Sequence, residues 1–412
     1  MKRILLHRLG KRNAAFSLIE LMVATALLTM MLVMVFQMLK GMQSQWKRTR
    51  QAVGEFKDAR AGFDELTRRI GGATLNTYWG YRYGTATVKG VSIRVGQSFI
   101  PQSELHFVCG PVDELGLKSG DTDQVGGRYT HAIFYQAPFG FTIEKSPTDK
   151  SELKYERMNS TLNSWGYYIE FNTDELDRPE FLVTVENAPL PRPRYRLMEF
   201  RQPTEYLQVY KLNLKEKEKA DKSDLYRWFT EGNYSVNSVW NTSLKGRGSE
   251  DFFRTTRPIA ENIIGMILRP READESSSGS TSGGSGGGGG TATDKTPLAP
   301  NFIFDSRAFQ WSGTAESLET KHQLPPIIDV TFIAVDEPSF LQYCAKNSIR
   351  TAGEDPKLVD KDWFKESKNF SKDIKSLQEK LHALGLPDFR IFNTSIRMRE
   401  SKWVDDTVQA KP

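Results

Sequence analysis

The chain has 412 residues, room for two or three domains, with 38% hydrophobic and 26% charged residues. Its 24 Phe, 14 Tyr and 8 Trp supply large side chains to bury, which argues against wholesale disorder and against a polytopic membrane protein. The formal net charge of +5 belongs to the N-terminal tip: Lys2, Arg3, Arg8, Lys11 and Arg12 lie in the first 15 residues, and the other 51 basic residues face 51 acidic ones, so the body carries no basic excess for nucleic acid.

After the basic tip comes an apolar run from Phe16 to Phe36, 21 residues interrupted inside by Ser17, Glu20, Thr25 and Thr29. As a helix it spans roughly 30 Å, enough to cross a hydrocarbon core. No other stretch is long and apolar enough, so one span is the maximum. Three readings compete. A secretory signal peptide has a shorter apolar region and a small-x-small exit, whereas this run ends in Phe36-Gln37-Met38-Leu39-Lys40. A plain signal anchor leaves Glu20 without a purpose, and an intramembrane carboxylate is costly unless it meets a partner. The third reading cuts the chain before the run, between Ala15 and Phe16.

Phe16-Ser17-Leu18-Ile19-Glu20-Leu21-Met22-Val23, behind a short basic leader and a small residue, resembles the prepilin signal of type IV pilins and type II secretion pseudopilins. Ala15 stands where most members carry Gly, from which slower cleavage is expected. The resemblance implies that prepilin peptidase cuts after Ala15 on the cytoplasmic side and methylates the Phe16 amine. It implies that Glu20 pairs with the N-terminal amine of a neighbouring subunit during filament assembly. Two charges that are each costly in lipid would then satisfy one another. Lys40, Lys47, Arg48 and Arg50 follow the span closely, so the positive-inside contrast is weak and the motif alone orients the chain.

Val53, Phe56, Phe63, Leu66 and Ile70 continue one helical face up to a stop at Gly71-Gly72. A helix over 17–70 would be roughly 80 Å long. Beyond it the pattern changes to period two. Strands are expected at Leu105–Cys109, His131–Gln136, Trp165–Phe171, Phe181–Glu186, Arg194–Phe200, Asn262–Leu268, Ile327–Val335 and Phe389–Met398. Helices are expected at Ser339–Lys346 and at Lys372–Leu384, the latter capped by Ser371 and ended by Gly385 and Pro387. Lys211–Asp224, a run of mixed charge, reads as a solvated insertion. Residues 272–297, with Gly283–Gly290 at their centre, read as a flexible loop inserted within one sheet domain. No βαβ rhythm appears, so the class is α+β: a long N-terminal helix on a mainly antiparallel sheet body. The organisation expected is a leader over 1–15, a membrane segment over 16–37, a periplasmic continuation over 38–72 and a β-rich body over 73–412.

The late strand opened by Leu324-Pro325-Pro326 and the closing Phe392–Arg399 resemble J-type pseudopilins and W-type pilus proteins. Leu66–Ile70, Ala73–Trp79, Ser103–Val108 and His131–Pro138 are similar to the Verru_Chthon cassette protein C family of prepilin-like proteins. That family adds no known chemistry.

Catalytic and metal signals are weak. Gly283-Gly284-Ser285-Gly286-Gly287 satisfies G-x-S-x-G and its tract satisfies G-x-G-x-x-G, but the flanks are Ser, Thr and Gly and not the strand and helix those motifs need. Asp121 and Asp123 could ligate calcium, yet no later acid completes an EF-hand spacing, and a polar turn is the simpler reading. His106 and His131 lie in strand patterns with no visible partner set and read as structural. Cys109 and Cys344 could form a disulfide in an oxidising compartment or remain buried thiols.

No cofactor, no metal and no enzymatic activity are expected. The expected protein is a minor pilin-like or pseudopilin-like subunit, anchored once in the inner membrane with its body in the periplasm. Its expected partners are prepilin peptidase, other pilin-like subunits met through the N-terminal helix, the inner-membrane assembly platform and membrane lipid. One alternative is a filament-presented adhesin or substrate-binding module, which exposed aromatic residues around Tyr78–Tyr83 would favour. The other is a membrane-anchored enzyme, which would need a concave site with convergent titratable groups.

Overall fold

A computed structural model of the chain describes residues 18–117, 125–144, 154–155, 158–175, 178–179, 181–182, 185, 188, 190–210, 222–231, 236, 255–272, 298–307 and 321–401. The structure is α+β, as expected. Helix α1 runs Leu18–Ile70, and the chain divides into two compact units after Gly54, within this helix. The first unit is the apolar part of α1. The second, from Glu55 onward, holds the sheets.

The body contains a six-stranded antiparallel sheet in the order β7-β6-β5-β4-β3-β9 and a three-stranded sheet in the order β11-β10-β8. The six strands are β3 (Val108–Pro111), β4 (Val125–Ala137), β5 (Asn163–Thr173), β6 (Pro193–Gln202), β7 (Thr256–Glu261) and β9 (Phe304–Asp305). The smaller sheet comprises β8 (Ile263–Arg271), β10 (Ile327–Val335) and β11 (Phe389–Arg397). A separate two-stranded sheet pairs β1 (Tyr78–Val88) with β2 (Val91–Gln102).

Strand β5 is buried along its whole length, and the reason lies on its two faces. Gly166 has no room for a Cβ because the Phe134 ring would lie 2.3 Å away. Phe134 stacks in turn on Phe229 of helix α2 (Lys222–Thr230), with ring centroids 4.1 Å apart. On the opposite face Trp165 and Tyr167 donate hydrogen bonds to the buried Glu199 carboxylate, at 2.9 and 3.2 Å. Arg69, in the last turn of α1, stacks over Trp165 at 4.6 Å. The same end of α1 meets the smaller sheet through Phe63, whose ring lies edge-on to Phe332 at 4.9 Å. Leu66 and Ile70 complete this buried stripe. Gly62 permits the close approach, since a Cβ there would fall 2.8 Å from that of Ala260.

The two sheets are tied together at β4. Thr130 adopts φ +58°, breaks the ladder, and presents its hydroxyl to the Met266 N–H at 3.0 Å. Its neighbour His131 accepts from the Leu268 N–H at 3.0 Å. Helix α3 (Glu337–Lys346) begins where the Asp336 carboxylate accepts from the Ser339 N–H, so the cap lies just before the expected start. Helix α4 (Phe370–Ala383) ends in a Schellman turn: Gly385 has φ +80°, and Leu386 donates to the Leu381 carbonyl at 2.9 Å.

Several expectations are corrected. Of the expected strand Phe181–Glu186, the described residues 181, 182 and 185 are not strand: 181–182 are helical, Leu182 donates to the Pro179 carbonyl, and Phe181 and Val185 are exposed and give no buried face to order a strand; the others lie outside the described residues. Ser371 does not cap α4; a 3-10 turn at Ser367–Asn369 leads directly into it from Asn369. Strand β3 starts at Val108 rather than Leu105, because the His106 N–H is taken by the Gln136 side chain. Of the charged insertion, residues 211–221 lie outside the described residues, and Lys222 already opens α2, which buries Tyr226, Trp228 and Phe229. The low-complexity tract lies outside the described residues except Glu272. Strand β8, which precedes it, is a ladder neighbour of β10, with Arg271 opposite Ile327, whereas β9, the next strand after it, joins the six-stranded sheet beside β3.

Candidate functional site

The first turn of α1 carries Glu20, the only ionisable residue from Leu18 to Phe36. Leu18–Gln43 has mean hydropathy 2.4 and is long and apolar enough to cross a membrane. Its large apolar side chains are exposed around the helix, from Leu18 and Ile19 through Met31 to Phe36. A helix apolar on every side suits lipid or a helix bundle rather than a two-sided globular surface. Thr25 and Thr29 fit the same environment. Their hydroxyls donate to the carbonyls of Met22 and Ala26, at 3.0 and 2.8 Å, so neither needs water. Glu20 is exposed, and its carboxylate favours the positive end of the helix dipole. Ala15 and Phe16 lie outside the described residues.

Residues 10–36 match the prokaryotic N-terminal methylation motif. This chain carries a prepilin-type signal. The match brackets Ala15, Phe16 and Glu20 and supports a type IV pilin-like protein processed by prepilin peptidase. With the apolar helix that follows, it fits a protein anchored in the inner membrane. No curated protein and no solved structure matches the chain.

In the body the structure brings His106 to a set of partners that sequence did not show. Its Nε2–H donates to Asp305 Oδ1 at 2.7 Å, and Trp228 Nε1–H donates to its Nδ1 at 3.0 Å. Trp donates only, which fixes the histidine tautomer. Asp305 also accepts from the Tyr226 hydroxyl at 3.1 Å and from the Arg307 N–H at 2.8 Å. Burial raises the Asp305 carboxyl, but the His106 side chain, the Arg307 N–H and the Tyr226 hydroxyl outweigh it and bring it below its usual value. The pair has the look of two-thirds of a catalytic triad, yet His106 and Asp305 are wholly buried, with α2 closing over them. Its evident work is to clamp β9 and α2 to the segment before β3. Residues 199 positions apart in sequence gave no local signal of this pairing.

His131 is buried as well. Burial pushes its imidazole down to about 4, although its Nε2–H donates to the Phe364 carbonyl at 2.8 Å. Cys109, on β3, and Cys344, on α3, are both buried and free, the alternative to a bridge, and the Cys109 thiol lies against Phe304 of β9. Burial raises both thiols, Cys344 to about 11, which leaves them poor nucleophiles. Asp121 and Asp123 lie outside the described residues, and no cluster of metal-ligating side chains occurs among the described ones.

The aromatic region around Tyr78–Tyr83 forms the β1–β2 hairpin, which the sequence reading did not assign to strands. Its turn is Lys89-Gly90, with φ of +51° and +80°, between paired Val88 and Val91. One face carries exposed Trp79, Tyr81, Tyr83 and Phe99. The Tyr81 and Phe99 rings lie 4.2 Å apart, and Arg94 stacks on Tyr83 at 4.4 Å.

Proposed function

We propose that this chain is a prepilin peptidase substrate whose processed form is a minor pilin-like or pseudopilin-like subunit of a type IV pilus or type II secretion-like assembly. The carrying observation is the methylation motif at residues 10–36, set at the head of an apolar helix with one carboxylate in its first turn. Cleavage after Ala15 would place the Phe16 amine four residues before Glu20. In a packed bundle of such helices the carboxylate of one subunit and the amine of the next would neutralise each other and fix the stagger. The role is structural rather than enzymatic. The body of 73–412 is bulky for a repeating shaft subunit, which favours a tip or initiation position by steric argument.

The N-terminal peptide mass of protein recovered from cell membranes tests this. A chain beginning at N-methylated Phe16 is the expected result. An intact Met1 in cells with active prepilin peptidase would reduce the motif to an uncut anchor.

A second reading, a binding module presented on the filament, is favoured by one observation: the exposed aromatic face of the β1–β2 hairpin.

A further inference from the structure

The β1–β2 hairpin is unlike the rest of the body. It forms no ladder with a third strand among the described residues. A two-stranded ribbon with no covered face is marginal in water and gains from a surface to lie against. Each of its faces carries large apolar side chains, the first nearer the base of the ribbon and the second nearer its tip. Trp79, Tyr81, Tyr83 and Phe99 project from one side, and Val88, Val91, Ile93 and Val95 from the other, all exposed. The tip is equally apolar, with Val88 and Val91 on either side of Lys89-Gly90.

Its charge is one-sided. From Ile70 to Ser103 there is no Asp or Glu, while Arg82, Lys89 and Arg94 supply three cations, in a chain whose charges beyond residue 15 sum to zero only with these three included. The hairpin is therefore aromatic, aliphatic and cationic without a single counter-charge of its own.

We propose that the β1–β2 hairpin docks on the anionic surface of a lipid bilayer. Trp and Tyr favour the depth where acyl chains meet headgroups, because one end of each ring is apolar and the other is polar. Lys and Arg beside them are attracted to anionic headgroups, and binding to such surfaces grows with apolar area and positive charge together. A stacked ring, base or sugar would use the aromatic face and leave the aliphatic face in water. A bilayer boundary wets both. The strand edges set the depth: their unpaired N–H and C=O groups need water or phosphate, so the hairpin stays among headgroups and does not cross the hydrocarbon. The proposal rests on the hairpin alone and stands apart from the prepilin reading.

The test uses the full chain in phosphatidylcholine nanodiscs, with Ser92→Cys carrying an environment-sensitive nitrobenzoxadiazole dye. The unsubstituted chain controls for labelling of buried Cys109 and Cys344. Added vesicles contain phosphatidylcholine alone or with about one-third phosphatidylglycerol. The expected result is a blue-shifted emission and about tenfold more vesicle-bound protein with the anionic vesicles, reversed in about 0.5 M salt. Lys89→Glu, and separately Trp79→Ser with Phe99→Ser, should each cut binding about fivefold while the thermal midpoint of the body is unchanged. An emission indifferent to anionic vesicles would overturn the proposal. So would a shift caused by dextran sulfate but not by vesicles, which would make the ligand a soluble polyanion, or binding that survives both sets of substitutions.

Discussion

Leu21 and Leu66 lie on one continuous helix, yet the first is 60% exposed and the second is fully buried. The difference is one of environment, not of residue type. Around Leu66 the chain supplies its own cover, from Phe332 and Phe392 against neighbouring Phe63 to the Ala260 side chain of β7 met at Gly62. Around Leu21 the described residues supply none, and the apolar surface suits lipid or another helix. Apolar residues in this chain thus divide into those that fold the body and those that place it.

Substitution can break that division. Leu66→Ala should cost the body about 2–5 kcal/mol, read from chemical denaturation, because a buried side chain is removed and a cavity remains. Leu21→Ala should leave the same curve unmoved; an equal loss at both positions would erase the contrast.

Acid should separate the two stretches further. The His131 imidazole titrates near 4 in the folded state against an ordinary 6.5. Its folded value is depressed, so its contribution is complete above pH 6.5 and is lost as pH falls towards 4, in all roughly 3 kcal/mol. Asp305, also lowered, adds to the loss at still lower pH. Near-ultraviolet circular dichroism should report loss of body packing as pH falls, while far-ultraviolet helix signal from detergent-held α1 persists. A body equally stable at pH 4 and pH 7 would show that these buried groups do not titrate as their surroundings imply.

Smaller still is Gly385→Ala, which forces a Cβ into the φ +80° position that ends α4. About 1 kcal/mol is expected, confined to the body and visible as a lowered thermal midpoint. Glu20→Ala should do the reverse. Stability should change by no more than about 0.5 kcal/mol, as for an exposed site, while co-purification with filament partners is lost. Efficient recovery of those partners with the Ala variant would remove Glu20 from assembly.

Much of the body was legible because burial imposes periodicity. Phe63, Leu66 and Ile70 recur at helical spacing, β5 alternates, and β8 and β10 carry apolar runs bounded by turns. The β1–β2 hairpin was not legible as strands for the same reason inverted: exposed on both faces, it shows no alternation between apolar and polar. Helix α2 was hidden by the charged residues before it, since Tyr226, Trp228 and Phe229 are too few to show a period. The His106–Asp305–Trp228 set joins three distant segments and is a product of topology. The N-terminal motif was legible at once, because its chemistry is local and needs no fold to assemble it.

One feature of the smaller sheet bears on how the protein can be handled. Arg271, at the end of β8, is already hydrogen-bonded opposite Ile327, at the start of β10. The Ser/Gly-rich sequence that follows leads to buried Leu298 and on to β9 of the larger sheet, so folded structure holds both of its ends, and the closure cost of a connection grows only with the logarithm of its length, about 0.6 kcal/mol per doubling. An affinity epitope spliced between Ser276 and Gly290 should therefore be carried at little thermodynamic penalty. It would leave the residues ahead of Phe16 untouched, so that maturation and purification no longer compete for the same end of the molecule.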